Sequence, residues 1–362
     1  MFRLRTLLLS SSLLAASLTP ALAEAPRIVA SIKPIHSLVA AVTQGVTDPA
    51  LIIEGAGSPH TYSLKPSQAA QLQEADMVFW VGHELETFLE QPIETIAASA
   101  TSVELIDAPG LETLAPREGG RFEKHSHGDD GHDHDHDHDQ DEHAHADDGH
   151  DHDHDDHAHD DHAHDHDDKP GEDHAHEAQG HDEHAHDHGS VDAHIWLDPE
   201  NAKAMVRAIE AALVARDPDN AARYTENAEA QIAKLDALIA EVRDVVAPVR
   251  DKGYIVFHDA YRYFERRFGT AAVGGITISP EVRPGAARLA EIRDTIRELD
   301  ATCVFSEPQF EPAVVSVVIE GTQARTGVLD PLGAGIDAGP DHYAQTVRAM
   351  AGSLRDCLAG ES

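Results

Sequence analysis

From Arg27 onward the chain is predicted to fold as an α/β protein of two lobes, each a mostly parallel sheet flanked by helices and joined by one long rigid helix. Three observations predict this. Short apolar runs alternate with helical stretches in two separate blocks, the pattern of βα units. Between the blocks lies one apolar stripe that recurs at three- and four-residue steps for many turns. A low-complexity insertion interrupts the first block and carries no such pattern.

In the first block the expected strands are Ile28 to Ile32, Leu51 to Ile53, Met77 to Val81 and Val103 to Ile106, with helices from Pro34 to Val42 and from Ser67 to Ala75. Asp198-Pro199 and Asp217-Pro218 each supply an N-cap followed by a proline at the first helical position. The second of these helices bears the stripe Ile232, Leu235, Leu238, Ile239, Val242, Val245, Val246 and Val249. Running from Pro218 to Val249 it would be roughly 48 Å long at 1.5 Å per residue, longer than one small lobe needs. The second block is read as strands Tyr254 to Phe257, Ala272 to Ile278, Thr302 to Ser306 and Gly327 to Leu329. Its helices are read as Ala260 to Phe268, Gly285 to Leu299, Pro312 to Thr326 and Asp341 to Leu358.

The resulting division is a leader at 1–23, a first lobe at 24–216, a linking helix at 217–250 and a second lobe at 251–362. Met1 to Arg5 is basic, Leu7 to Leu18 apolar, and Ala21-Leu22-Ala23 fits a small-residue cleavage site, so the leader reads as a secretory signal peptide. Its apolar run of about 12 residues falls short of the roughly 20 needed to span a bilayer. Export to the periplasm is expected. In an oxidising compartment Cys303 and Cys357 are expected to pair as a disulfide, the alternative being two free thiols that ligate metal without any CxxC spacing.

The formal charge of -39 repels a phosphate backbone, which argues against nucleic-acid binding. Residues 125–188 hold 22 of the 28 histidines and 25 acidic residues against the single Lys169. With almost no apolar groups to offset backbone ordering, this stretch is expected to be disordered. Its imidazoles, among them His132, His134, His136, His138, His152, His154, His157, His159, His164 and His166, suit zinc, copper or nickel in weak, multiple and poorly selective sites. A solvating acidic spacer is the plainer alternative.

Only six histidines lie outside the insertion. His60 sits in the turn Gly57-Ser58-Pro59-His60, His194 just before a capped helix, and His258 at a strand end, where open α/β sheets place ligands. His36 reads as a packed or rim residue, His83 as a minor candidate near the cleft and His342 as surface. Glu307 and Gln309 follow a strand and read as structural or supporting groups.

The stretches SIKPIHSLVAAV, GSPHTYSLKPSQ, DAHIWLDPENA, FHDAYRYFERRFG, ISPEVRPGAARLAEIR, VFSEPQF and LDPLG closely resemble the periplasmic zinc-binding proteins of ABC importers, the ZnuA type within the cluster A-I (cluster 9) solute-binding family. The resemblance implies a cleft between two related lobes with Zn2+ at its base, held by His60, His194 and His258. Asp330, in LDPLG, falls where manganese-type relatives supply a carboxylate, so Asp330 or a water would complete the shell. A histidine at 258, where manganese carriers use a carboxylate, argues for zinc.

The implied role is capture of Zn2+ as cargo and its delivery to a membrane permease driven by a cytoplasmic ATPase, by a chain expected to be a monomer and not an enzyme. Two other roles are weighed against it: a periplasmic zinc buffer or chaperone, and a secreted zinc hydrolase. The hydrolase lacks support because no HExxH helix, GxSxG turn or phosphate-binding loop is present.

Overall fold

The computed structural model describes residues 25–117, 122, 191–277, 284–299, 302–310 and 313–360. The expected leader at 1–23 and the expected disorder of 125–188 lie outside the described residues. The first sheet comprises β1 (Ile28–Ala30), β2 (Ala50–Leu51), β3 (Met77–Trp80) and β4 (Thr101–Glu104), all parallel, in the order β2-β1-β3-β4. Helices α1 (Lys33–Val42), α2 (Pro66–Glu74) and α3 (Thr87–Thr95) connect these strands. The second sheet comprises β5 (Tyr254–His258), β6 (Ala272–Thr277), β7 (Cys303–Ser306) and β8 (Arg325–Val328), again parallel, in the matching order β6-β5-β7-β8. Its helices are α6 (Arg262–Phe268), α7 (Ala286–Glu298) and α8 (Ala313–Ile319), with α9 (His342–Ala359) last.

Burial on both faces explains the continuous apolar runs. All residues of β1, β3 and β5 are buried, as parallel strands covered by helices require. Between the sheets in sequence stand α4 (Pro199–Arg216) and α5 (Ala221–Val246). The α4 start follows its capping logic: the Asp198 carboxylate accepts from Glu200 N at 2.9 Å, and Pro199 gives up no hydrogen bond at the first position. The α5 helix is flanked by 3-10 turns at Pro218–Asn220 and Ala247–Val249, where Pro248 offers no N–H to continue the ladder. Its 26 residues span about 39 Å.

Several boundaries and one element differ from expectation: β2 and β4 each start earlier than expected, with a 3-10 turn at Leu105–Asp107 where the sequence predicts strand, and the long helix starts at Ala221, the Asp217-Pro218 signal opening a 3-10 turn instead. Helix α8 stops at Ile319 instead of reaching Thr326, because Gly321 adopts φ +72° and turns the chain toward β8, which starts at Arg325. Helix α3 was not anticipated; Pro92 lies inside it and masks its periodicity.

One continuous apolar core runs from β1, α1 and β3 through α4, α5 and α9 to β5 and α6, so both sheets share it. A smaller cluster of Ile255, Phe257, Ile276, Ile292, Ile296, Val304, Val315 and Val318 serves the outer face of the second sheet. Polar straps reinforce the junction. Lys33, at the start of α1, donates to the carbonyls of Ala334 and Ile336 at 2.9 Å each, and Trp196 Nε1 donates to Pro331 O at 2.8 Å. The segment leaving the first sheet follows α6: Leu114 N donates to the Tyr263 hydroxyl at 3.0 Å, and Arg117 binds Asp259 and, at 2.7 Å, Glu265. Among the described residues no helix is long and apolar enough to cross a membrane.

Cys303, opening β7, is disulfide-bonded to Cys357 in α9 across a Cα–Cα distance of 6.2 Å, as the pairing in an oxidising compartment predicts. At a sequence separation of 54, the crosslink contributes about 4 kcal/mol in the chain-entropy account. Replacing both cysteines by alanine is therefore expected to lower the thermal midpoint, by an amount corresponding to about 2–4 kcal/mol in chemical denaturation. Arg117→Ala is expected to cost about 3 kcal/mol, because Glu265 would stay buried without its cation. Urea unfolding followed by circular dichroism checks both.

Candidate metal centre

Each of the three candidate histidines is placed by a different local device. His60 lies in the turn after β2, where Gly57 permits close approach: a Cβ there would meet the Tyr62 ring at 3.0 Å and Ile53 at 3.1 Å. Gln68 of α2 then fixes that turn, donating to Ile52 O at 2.6 Å and to the Tyr62 hydroxyl at 2.8 Å while accepting from Lys65 N at 2.9 Å. His194 precedes the 3-10 turn Ile195–Leu197. The Asp192 carboxylate, two residues earlier, accepts from both its backbone N (3.0 Å) and its Nδ1 (2.8 Å). His258 ends β5, and Glu307, the residue after the neighbouring strand β7, accepts from its Nδ1 at 2.7 Å. His258 and Glu307 thus flank the gap between the two central strands where strand order reverses, the usual ligand crevice of such sheets.

These devices bring three ring nitrogens together. His194 Nε2 lies 3.4 Å from His60 Nε2 and 3.3 Å from His258 Nε2, and one ligand atom from each of the three rings falls within 4.8 Å of the others. The close nitrogen pairs are not ordinary hydrogen bonds. A carboxylate only accepts, so Asp192 and Glu307 assign the proton to Nδ1 of His194 and of His258, leaving both Nε2 atoms as lone pairs. Two lone pairs at 3.3 Å repel unless a cation lies between them. Ligands held 2.0–2.1 Å from a tetrahedral zinc ion stand about 3.3–3.4 Å apart, which is the spacing observed.

The protonation balance is uneven across the cluster. Burial, and then the neighbouring His194 and His258, hold the His60 imidazole well below its ordinary range. Burial also pushes His258 down, but the Glu307 charge and hydrogen bond, helped by Asp259 and Asp192, outweigh it and raise the net value. The cluster therefore sets the raised imidazole of His258 against the lowered one of His60, in a setting closed by Trp196, whose ring lies 5.4 Å from that of His194, and by Phe310, 5.8 Å from that of His258.

Asp330 is not among the grouped residues. Its Oδ1 accepts from Gln309 Nε2 at 2.9 Å and from Leu332 N at 3.1 Å, and its Oδ2 from Ala334 N at 2.6 Å, so it organises the loop after β8. His342, expected at the surface, is buried: its Nε2 meets Leu332 O at 2.9 Å and its Nδ1 meets Asp337 O at 3.2 Å, holding the same loop from α9. His36 packs within α1 with its Nε2 3.0 Å from Pro49 O, and His83 is engaged with Glu84 and Glu104. The ten loop histidines singled out from 132 to 166 lie outside the described residues. Asp192 and Glu307 were the groups that sequence reasoning underrated. The DAH spacing around Asp192 was the available signal, whereas Glu307 reaches His258 only through strand pairing.

The family model described as the periplasmic component A of a zinc-uptake complex, ZnuA, matches residues 28–357. A high-affinity zinc uptake system protein ZnuA of Brucella suis is 49% identical, over 99% of this chain and 100% of the relative. The Yersinia pestis protein of the same name is 34% identical over 98% of each. Among solved structures, a crystal structure of ZnuA superposes with TM-score 0.66 at 22% identity, covering 92% of this chain and 99% of that one. The periplasmic zinc-binding protein TroA from Treponema pallidum superposes with TM-score 0.67 at 19% identity, with the same coverage. The histidine cluster at the mouth of the second sheet, the paired parallel sheets and a match along nearly the entire chain converge on one conclusion: this chain belongs to the ZnuA family of periplasmic zinc-uptake components.

Proposed function

We propose that the chain captures Zn2+ in the periplasm through His60, His194 and His258 and hands it to the membrane permease of an ABC importer powered by a cytoplasmic ATPase. The observation that carries this reading is the 3.3–3.4 Å spacing of His194 Nε2 from the Nε2 atoms of His258 and His60, which fits the edges of a tetrahedral zinc site. Relatives named for high-affinity zinc uptake, matched over their full length, support the cargo and the transport role. Three imidazoles, two of them backed by carboxylates, are a nitrogen-rich shell that suits zinc better than manganese.

In this reading the protein binds and releases without bond-making chemistry, acts as a monomer, and reaches the periplasm by way of a leader removed after residue 23. Asp330, holding Leu332 N and Ala334 N of the loop after β8 and the Gln309 amide beside it, acts as a structural carboxylate there. The histidine-rich stretch 125–188 adds weak, multiple zinc sites that raise the local ion concentration. Binding requires neutral imidazoles, so protons compete with the ion.

Three outcomes are expected. His258→Ala weakens the tight zinc-binding step beyond the roughly 10- to 100-fold typical of losing a supporting residue, and Glu307→Gln falls within that band, while His36→Ala leaves it unchanged. Chelator competition on the full-length mature chain measures all three; tight binding retained by His258→Ala would refute the assignment. As pH falls through the raised titration range of His258, affinity drops by about tenfold per unit, because one bound proton excludes the ion. His60, held low, adds a second proton only at more acidic pH, where the slope steepens. Chelator competition repeated across pH tests that profile.

A further inference from the structure

The three histidines line a small cavity with room for a body about the size of one water molecule. Among the buried polar atoms without a hydrogen-bond partner in the described residues are Ser58 Oγ, Glu307 Oε2 and Gln309 Oε1, and all three belong to side chains that line this cavity. A buried acceptor left unpaired costs about 1–3 kcal/mol, so their concentration at one place calls for a proton-bearing occupant.

Gln309 is the informative member. Its Nε2 lies 2.9 Å from Asp330 Oδ1. A carboxylate has only acceptors to offer, so the amide nitrogen must face Asp330 and the amide oxygen must turn the other way. Glu307 is committed behind His258 through Oε1. Pro331 and Leu332 line the cavity but Asp330 does not, because its oxygens are taken up by Gln309, Leu332 N and Ala334 N.

We propose that Gln309 sets the fourth position of the zinc shell: it keeps Asp330 out of coordination and, with its own amide oxygen, accepts a hydrogen bond from the water that completes three imidazoles. This rests on the three-histidine reading above. The shell so formed is neutral apart from the ion and rich in nitrogen, which disfavours manganese relative to zinc, so Gln309 is a specificity-determining residue that acts without touching the metal.

The test loads one equivalent of Co2+ onto the full-length mature protein. Water carrying a spin-active oxygen isotope is expected to broaden the Co2+ electron spin resonance line of the wild type, and Asp330→Asn is expected to retain the wild-type Co2+ absorption spectrum. Gln309→Met, similar in volume but unable to accept this hydrogen bond as well, is expected to weaken zinc by about tenfold in chelator competition and to shift the Co2+ spectrum. The proposal is overturned by a wild-type line that does not broaden, by a folded Asp330→Asn whose spectrum changes, or by a Gln309→Met variant indistinguishable from wild type. If Asp330→Asn does not fold, the wild-type line decides the question. The broader reading fails separately, through a His258→Ala variant that keeps both tight zinc binding and the wild-type Co2+ spectrum.

Discussion

Three imidazoles with ring nitrogens gathered within 4.8 Å, two of the pairs at 3.3–3.4 Å, are the constraint around which this molecule is built. Left alone they repel, so the protein must hold them there by other means. Carboxylates behind His194 and His258 fix which nitrogen keeps its proton, and each carboxylate is itself buried and placed by backbone. Asp192 is tied to the segment that leaves the first sheet, since its N–H donates to Leu114 O and its carbonyl accepts from the Tyr263 hydroxyl. The orientation of one ring thus depends on contacts with both halves of the protein.

Such precision needs a stiff frame. The shared core running through α4, α5 and α9, rather than two cores linked by a loose strand, makes the two sheets parts of one packed body. The Lys33, Trp196 and Arg117 contacts add polar registration at the rim of that body, and the disulfide fastens its last helix to the second sheet. A frame of this kind favours small adjustments at the site over a wide hinge opening.

Much of this was readable in the residues because parallel strands buried on both faces leave unbroken apolar runs, as at Met77 to Trp80 and Tyr254 to Phe257, and because the Asp198-Pro199 cap announces α4. The three ring-bearing positions were readable too, since each sits at a strand end or turn in an otherwise histidine-poor scaffold. What stayed hidden depends on tertiary proximity. Glu307 meets His258 only because β7 pairs with β5, a contact between residues 49 apart in sequence. His342 looked like a surface residue at the head of an amphipathic helix, yet Gly333 and Leu332 fold beneath it, and a side chain on Gly333 would collide with Thr346 and His342. Helix α3 escaped notice because its internal Pro92 conceals the period.

The two sheets share one strand order, but their central gaps are filled differently. In the first, Glu86 occupies the corresponding space, accepting from the Ser31 hydroxyl and from Val81 N and Gly82 N, and complete burial pushes its carboxyl up to about 7. In the second, the acid stands one step back and presents a ring instead. An architecture used twice therefore yields a single cargo berth: internal repetition supplies the walls, and the unequal placement of one acidic side chain in each half keeps the described scaffold from carrying a duplicate passenger.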